Sequence, residues 1–144
     1  MEKKYITIST RQTKKLGESL AKKILKLPQK KDALVIALSG DLGAGKTTFV
    51  QGFAKGLGFK ERITSPTFVI MRRYENFFHI DCYRIQTPEE ILDIGFKEII
   101  SQPKSIIVIE WPEKIEKILP KNIIKIKFKF INKNIRKITL YDKN

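Results

Sequence analysis

Apolar residues follow different patterns along the chain, and these patterns distinguish the predicted helices from the predicted strands. From position 16 to position 27, leucine and isoleucine recur at spacings of four and three residues, the period of one helix face. Ser9 or Thr10 can cap the start of this helix, and Pro28 ends it. A short apolar segment over residues 5–8 predicts a strand before it. The chain therefore begins with a strand followed by an amphipathic helix.

Continuous apolar runs over residues 33–38 and 105–109 predict two strands that are buried on both faces of a parallel sheet. Between them, residues 68–74 and 77–85 predict two further strands. The connection at residues 75–76 is short, so these strands form a hairpin. The sequence thus predicts a sheet with both parallel and antiparallel pairs.

The last part of the chain predicts a helix and a terminal hairpin. Pro88 follows a threonine and precedes two glutamates, a typical helix start, and Gly95 weakens the middle of this helix. Apolar residues alternate with lysine over 124–130, as in a half-exposed antiparallel strand, and a turn leads into a partner strand over 135–141. The element order predicts an α/β fold, a three-layer domain with a mixed central sheet and a C-terminal antiparallel hairpin.

Composition limits the class of protein. The 144 residues fit one domain, 1–144, and 42% hydrophobic with 31% charged residues is ordinary for a globular chain. One cysteine permits no intrachain disulfide, and the sequence shows no secretory or membrane-spanning run, which predicts a cytoplasmic protein with no membrane partner.

The net charge of +14 is concentrated at the two ends of the chain. Residues 1–33 carry 10 basic and 3 acidic side chains and residues 114–144 carry 10 and 2, whereas residues 34–113 carry 9 and 10. Lysine and isoleucine each occur 23 times, a joint bias that AT-rich codon usage produces by itself. A solvated lysine surface and RNA binding both remain open.

A phosphate-binding loop of the pattern G-x-x-x-x-G-K-[ST] lies between the first buried strand and a periodic helix. Its residues are Gly40, Asp41, Leu42, Gly43, Ala44, Gly45, Lys46 and Thr47, with Thr48 next. The glycines allow backbone N–H groups to surround phosphate oxygens. Lys46 is expected to reach the β- and γ-phosphates, and Thr47 to ligate Mg²⁺. The domain is therefore P-loop NTPase-like.

Such a site also needs an acid at the end of a neighbouring strand to hold the magnesium shell. Glu110 ends the second buried run, whose carboxyl end lies beside the phosphate loop in this architecture. Asp81 lies in an alternating strand, on the same face as His79. We rank Glu110 as the closer acid and Asp81 as a group that positions water or supports the ligands. For each carboxylate, a solvated or paired role remains the alternative.

These motifs, in this order, resemble the TsaE (YjeE) family, bacterial ATPases required to form threonylcarbamoyladenosine (t6A) in tRNAs that read codons beginning with A. The matching residues are GDLGAGKTT from Gly40, SPTF from Ser65, HIDCYR from His79, PEE from Pro88 and EWPE from Glu110. The resemblance covers nearly the whole chain from Thr13 onward, and the lysine-rich terminal hairpin matches least.

The resemblance implies a Mg²⁺-dependent ATPase that does not transfer the carbamoyl group itself. It would act on the TsaD–TsaB pair that does, and would meet tRNA through that pair. We also expect the isolated protein to hydrolyse ATP slowly, because the chain shows no obvious arginine that would reach the γ-phosphate. The implied residues are Ser65, Thr67, His79 and Asp81 near the γ-phosphate, Thr47 and Glu110 on the metal, and Thr13, Trp111 and Arg136 with the loop at the nucleotide.

Several blander interpretations stay open. A small-molecule kinase also pairs a phosphate loop with a short α/β domain, although no insertion here is long enough for an arginine-bearing lid. A basic RNA-binding protein that holds a structural nucleotide is a second alternative. Ser65 before proline can simply begin a strand. Trp111 can be core packing, and His79, the single histidine, has no metal-spaced partner.

Overall fold

The computed structural model describes residues 2–28, 31–41, 43–60, 63–64 and 69–142. The strands are β1 Glu2–Thr7, β2 Leu34–Gly40, β3 Met71–Tyr74, β4 Phe77–Asp81, β5 Ile106–Glu110, β6 Ile124–Phe130 and β7 Arg136–Tyr141. The helices are α1 Thr10–Leu25, α2 Lys46–Gly56, α3 Glu89–Asp93, α4 Phe96–Ile100 and a 3₁₀ helix, Pro112–Ile118.

All seven strands form one mixed sheet in the order β1-β7-β6-β2-β5-β4-β3. The central strand β2 pairs in parallel with both β5 and β6, and β5 pairs in parallel with β4. The outer pairs β3–β4, β6–β7 and β1–β7 are antiparallel. The register places Leu38 opposite Glu110 and Glu110 opposite Asp81, so β2, β5 and β4 end at the same edge of the sheet.

Helices cover both faces of the sheet and bury one apolar cluster on each. α1 and α2 cover one face, where Phe49 and Phe53 pack on Ile36 and Val108. α3, α4 and the 3₁₀ helix cover the other face over β2, β5 and β4, with Phe96 against Ile107. The predicted three-layer α/β fold with a mixed sheet is therefore confirmed.

Helices α1 and α2 approach each other closely through glycine. A Cβ added at Gly52 would lie 1.9 Å from the carbonyl oxygen of Lys14, and one at Gly17 would lie 2.3 Å from that of Phe49. At Gly56, the same atom would lie 2.5 Å from the oxygen of Glu18. Only hydrogen fits at these positions. The phosphate loop leads directly into α2, so this packing fixes the loop's position against α1.

The structure confirms the predicted cap of the first helix and corrects the bounds of three later elements. Ser9 Oγ accepts the backbone N–H of Gln12, which caps α1. The predicted helix after Pro88 is two short helices, because Gly95 adopts φ +91° between them. The predicted strand 77–85 ends at 81, and the strand 68–74 begins at 71, with residue 68 outside the described part of the chain.

One predicted strand pairing also differs from the structure. β4 is buried throughout, because α2 and the helices of the other layer both cover it. β6 alternates between buried and exposed residues as predicted, but it pairs in parallel with β2 as well as antiparallel with β7. In the described residues, no helix combines the length and apolar character needed to cross a membrane.

Candidate nucleotide and magnesium site

The phosphate loop connects β2 to α2 through backbone conformations that favour glycine. Gly40, Gly43 and Gly45 have φ values of +136°, +78° and +100°, in the region that other residues rarely adopt. The loop closes on itself where the Ala44 N–H donates to Asp41 O at 3.1 Å. Leu42 lies outside the described residues. The glycine pattern of the motif thus matches the backbone that the loop requires.

A cavity of about 280 Å³ lies between this loop and the carboxyl ends of β4 and β5. The described residues that line it are Gly43, Gly45, Lys46, Thr47, Thr48, Asp81, Tyr83, Glu110, Trp111 and Arg136. The structure therefore brings most of the predicted site residues to one cavity. Asp41 and Ala44 belong to the loop beside it.

Lys46 begins α2 and is held inside the site by two contacts. Its Nζ donates to the carbonyl oxygen of Gly40 at 2.6 Å and lies 3.9 Å from the centroid of the Trp111 ring. Burial lowers the pKa of Lys46 from its ordinary value, and the carboxylates of Glu110 and Glu113 oppose that shift. The ammonium group thus lies beside the cavity, where it contacts a backbone carbonyl oxygen and the face of an aromatic ring.

Glu110, at the end of β5, is positioned by a histidine on the neighbouring strand. His79 Nε2 and Glu110 Oε2 are 2.7 Å apart, and the two side chains are 0% and 5% exposed. A carboxylate only accepts, so Nε2 carries the donated proton. Within the described part of the chain, His79 Nδ1 has no hydrogen-bond partner. The pair fixes the orientation of the Glu110 carboxylate.

Asp81 lies at the end of β4, directly opposite Glu110 in the register. One of its oxygens accepts the backbone N–H of Tyr83 at 2.9 Å, which stabilises the turn that follows the strand. Asp81 and Glu110 both line the cavity and are both nearly buried. The geometry alone does not rank one acid above the other.

The oxygens around the cavity fit a magnesium ion. Thr47, Asp81 and Glu110 supply a hydroxyl and two carboxylates, which are hard ligands of the kind that Mg²⁺ prefers. In the described residues, no group of three or more His, Cys, Asp and Glu side chains forms an all-protein metal cage. Mg²⁺ commonly uses one or two carboxylates together with water and substrate phosphates, so two acids suffice.

Trp111 adopts a backbone conformation that costs free energy. Its φ of +57° is left-handed although it is not glycine, and it directly precedes Pro112. The ring packs 5.1 Å from the ring of Tyr83 and covers Lys46 on another side. The indole lines the cavity and also packs against the apolar cluster of the second layer.

Arg136 enters the cavity from the distant strand β7. One of its guanidinium nitrogens donates to Asn132 O at 2.6 Å and to Ile135 O at 3.2 Å. The guanidinium also lies 4.6 Å from the centroid of the Phe130 ring. Arg136 therefore connects the cavity to the turn between β6 and β7.

Three further predicted residues lie away from the cavity wall or outside the described part of the chain. Thr13 is buried in α1, where its hydroxyl shares a 2.8 Å hydrogen bond with that of Thr7, and its methyl carbon would lie 3.6 Å from a Cβ at Gly45. It thus supports the loop from behind. Ser65 and Thr67 lie outside the described residues.

Sequence reasoning did not predict two features of this site. The His79–Glu110 pair depends on strand pairing, and the only available signal was that both residues are polar positions within apolar strands. The contact between the Lys46 ammonium group and the Trp111 ring depends on the positive φ of Trp111. The following proline was no guide to it, because proline disfavours helical φ and ψ in the preceding residue without indicating left-handed ones.

Comparison with known proteins gives a consistent family. The family model described as "Threonylcarbamoyl adenosine biosynthesis protein TsaE" matches residues 7–138. The chain is 39% identical over 109 residues to a tRNA threonylcarbamoyladenosine biosynthesis protein TsaE of Treponema pallidum, an alignment covering 74% of this chain and 80% of that protein. It is also 39% identical over 109 residues to the TsaE of Bacillus subtilis, covering 73% and 67%.

A solved structure shares the fold. The crystal structure of Bacillus subtilis YdiB superposes with a TM-score of 0.80 at 30% sequence identity. The superposition covers 100% of this chain and 87% of that one. The match therefore includes the phosphate loop, the sheet and the terminal hairpin together.

Proposed function

Because the chain belongs to the TsaE family, we propose that it is a Mg²⁺-dependent ATPase of tRNA threonylcarbamoyladenosine biosynthesis. In this proposal it works in the cytoplasm as one domain, 1–144, and hydrolyses ATP to ADP and phosphate. Hydrolysis supports repeated turnover of the TsaD–TsaB pair, which performs the threonylcarbamoyl transfer and contacts the tRNA. The observation that carries the proposal is the convergence of Lys46, Thr47, Asp81 and Glu110 on one cavity behind a glycine-rich loop.

Each side chain has a role that its position supports. The N–H groups at the start of α2 and in the loop face phosphate oxygens, and the helix dipole adds a positive field there. When nucleotide binds, the Lys46 side chain moves, and its ammonium group exchanges its contacts with Gly40 O and the Trp111 ring for contacts with the β- and γ-phosphates. A negatively charged phosphate is a stronger partner for the ammonium than a neutral carbonyl is, so binding provides the driving force.

Glu110 and Thr47 would hold Mg²⁺, which neutralises charge on the phosphates when it is bound. His79 keeps the Glu110 carboxylate in place through the 2.7 Å contact. Asp81 orients the attacking water, and Trp111 with Arg136 contacts the nucleotide from the open side of the cavity. Thr13 lies behind the loop, where its methyl carbon would be 3.6 Å from a Cβ at Gly45, and it supports the loop from α1.

The isolated chain should turn over slowly. Arg136 lies at the cavity, but its guanidinium is engaged by two carbonyl oxygens of the β6–β7 turn. In P-loop enzymes an arginine supplied to the transferred phosphate contributes about 10³–10⁵ in rate, and partners often provide it. We therefore propose that the TsaD–TsaB pair accelerates hydrolysis. Fast turnover by the chain alone would argue for a self-sufficient enzyme.

Phosphate release from Mg²⁺·ATP tests the proposal. Lys46→Ala should abolish turnover with the fold intact by circular dichroism, whereas Lys55→Ala, an exposed lysine at the other end of α2, should behave as the wild type. Unchanged turnover in a folded Lys46→Ala variant would contradict the site. Transfer of phosphate to a small molecule instead of water would favour a kinase.

The two acids can be separated with ADP titrations at varied Mg²⁺. Glu110→Gln keeps the side-chain shape but removes the charge assigned to the metal, so nucleotide binding should lose its Mg²⁺ dependence. Asp81→Asn should lower hydrolysis while Mg²⁺·ADP binding survives. The opposite pattern would exchange the two roles.

A further inference from the structure

One half of a sheet face is left uncovered by the helices. Over β2, β5 and β4 this face carries α3, α4 and the 3₁₀ helix, but the side chains on the same side of β6, β7 and β1 are mostly exposed. The register aligns nine side chains there in three rows across the strands. They are Lys125, Tyr141 and Glu2, then Lys127, Thr139 and Lys4, then Lys129, Lys137 and Ile6. We call these nine side chains the open face.

The open face is basic and carries little opposing charge. Five of its nine side chains are lysines, and its one acid, Glu2, lies at a corner, 3.9 Å from Lys4. Lys129 and Lys137 are directly opposite each other, an arrangement of like charges that destabilises a strand pair. A codon bias toward lysine does not by itself separate charges in this way, since residues 34–113 carry 9 basic and 10 acidic side chains. The open face is therefore complementary to a polyanion, which would relieve the repulsion.

The lysines of β6 form a row along the strand. Lys125, Lys127 and Lys129 are all exposed and occupy every second residue, so their Cα atoms lie roughly 6.7 Å apart. Successive phosphates of an extended nucleic-acid strand have a similar spacing. A lysine ammonium binds a phosphate as a point charge. The row therefore suits consecutive phosphates of one strand.

An exposed aromatic ring lies beside this row. Tyr141 is 40% exposed and is directly opposite Lys125. Proteins hold single-stranded RNA by combining cations along the backbone with aromatic rings on which bases stack, and the open face of a sheet is a common platform for both. Bases inside a duplex already stack on one another and do not offer this contact. The row of lysines and the ring together favour single-stranded RNA.

Three exposed isoleucines lie at the other end of the open face. Ile6 is its corner farthest from Lys125, and Ile8 and Ile131 lie just beyond the strands. Aliphatic side chains contribute to protein or membrane contacts rather than to base stacking. A partner bound through them alone would leave Tyr141 and most of the lysines unused, whereas RNA uses both.

We propose that the open face binds a single-stranded segment of RNA, with the β6 lysines on successive phosphates and Tyr141 stacked on a base. We take the RNA to be the tRNA on which the pathway acts, an identity that rests on the proposed function. This contact is direct and adds to the one made by TsaD–TsaB. Its three rows and three strands span roughly 13 by 10 Å, enough for a few nucleotides. The chain alone should therefore bind with a Kd of about 10⁻⁴–10⁻⁶ M, the range of contacts that read no sequence.

Fluorescence anisotropy of a labelled tRNA transcript, titrated with the full-length chain, tests the role of the lysines. The β6 variant combines Lys125→Gln, Lys127→Gln and Lys129→Gln. Its matched control removes three exposed lysines at α1 and α2, on the other side of the sheet, by Lys15→Gln, Lys26→Gln and Lys55→Gln. Thermal unfolding verifies the fold, and the β6 variant should be no less stable than the wild type because it loses the repulsion with Lys137.

The β6 variant should bind tRNA about tenfold or more weakly. The slope of log affinity against log salt should fall by about 2, since each single-strand phosphate contact contributes about 0.7. The control variant should lose about twofold at most. An equal loss in the control would overturn the proposal, because the attraction would then come from net charge rather than from the open face.

A second pair of variants tests the stacking contact. Tyr141→Leu removes the ring and should weaken tRNA binding by about fivefold, whereas Tyr141→Phe keeps the ring and should bind as the wild type does. Wild-type affinity in Tyr141→Leu would overturn the proposal, because lysines on phosphates alone do not distinguish RNA from another polyanion.

Two further titrations separate RNA from the other partners. Vesicles of phosphatidylcholine and phosphatidylserine probe a lipid surface, and purified TsaD–TsaB probes a protein surface. If the β6 variant loses either of these interactions and keeps its tRNA affinity, the open face belongs to that partner and the proposal is wrong.

Phosphate release from Mg²⁺·ATP, measured on the wild type, separates this proposal from the proposed function. A chain that releases phosphate but binds no tRNA would overturn the RNA contact and leave the proposed function standing. A chain that binds tRNA through the open face but releases no phosphate, with or without TsaD–TsaB, would support the RNA contact and overturn the proposed function.

Discussion

The hydrogen bond between His79 and Glu110 predicts a strong energetic coupling between the two residues. Both side chains are almost fully buried, and the imidazole and the carboxylate contact each other at 2.7 Å inside the sheet. We consider His79→Leu, Glu110→Leu and the double variant. The first leaves a carboxylate in the core without its donor, whereas the double variant leaves two apolar side chains of similar size.

The burial of the pair sets the expected magnitude. Removing one partner of a buried ion pair or charge-assisted hydrogen bond costs about 3–5 kcal/mol, because the remaining polar group is left unpaired in a low-dielectric environment. Replacing both partners by apolar groups is often close to neutral. The double variant should therefore be more stable than the sum of the single changes predicts, by about 2 kcal/mol or more.

Urea unfolding of the four proteins, followed by circular dichroism, measures this coupling. The exposed pair Lys22–Glu18, 3.2 Å apart on α1, provides a control cycle with an expected coupling of about 0.3–0.5 kcal/mol. A His79–Glu110 coupling no larger than that of the control would refute the argument that burial makes this contact strong.

Three further predictions follow from packing and burial. Gly52→Ala should destabilise the chain by about 3 kcal/mol or more in urea unfolding, because its Cβ would lie 1.9 Å from Lys14 O. The control Gln51→Ala should change the free energy of unfolding little. Equal stability of the two variants would contradict the close approach of the helices. Cys82 is fully buried, and burial raises the pKa of its thiol to about 12. Alkylating reagents should therefore label Cys82 only after the chain unfolds. Rapid labelling of the folded chain would contradict the burial of the thiol. Trp111 fluorescence should change when Mg²⁺·ATP saturates the chain, because Lys46 leaves the indole ring, and an unchanged spectrum would argue against that movement.

The fold was largely predictable because most elements have a local cause. The helix period before Pro28, the buried apolar runs and the glycine-rich loop each reflect a constraint that acts within about ten residues. The environment of β4 was not predictable in this way. Its histidine and aspartate lie among apolar residues, and their burial depends on the helices that cover both faces of the sheet, which the sequence of one strand does not show.

The sequence carries weaker signals for the contacts between helices and strands than for the elements themselves. Small residues recur four apart in both packed helices, at Gly17 and Ala21 in α1 and at Gly52 and Gly56 in α2. That spacing places them on one helix face and could have predicted the close approach. The position of Arg136 beside the phosphate loop had no such signal, because it depends on β6 pairing with β2 and on the terminal hairpin folding back.

Strand register connects the fold to the chemistry of the site. Asp81 and Glu110 are brought together because β4 and β5 end in register, and the histidine that orients Glu110 lies two residues before Asp81 on β4. A slip of β4 by one residue would turn His79 and Asp81 to the opposite face, where the helices of the second layer pack. The apolar residues Phe78 and Ile80 resist that slip, since it would move them out of their cluster. The hydrophobic pattern of β4 therefore stabilises the sheet and also determines where the two acids lie.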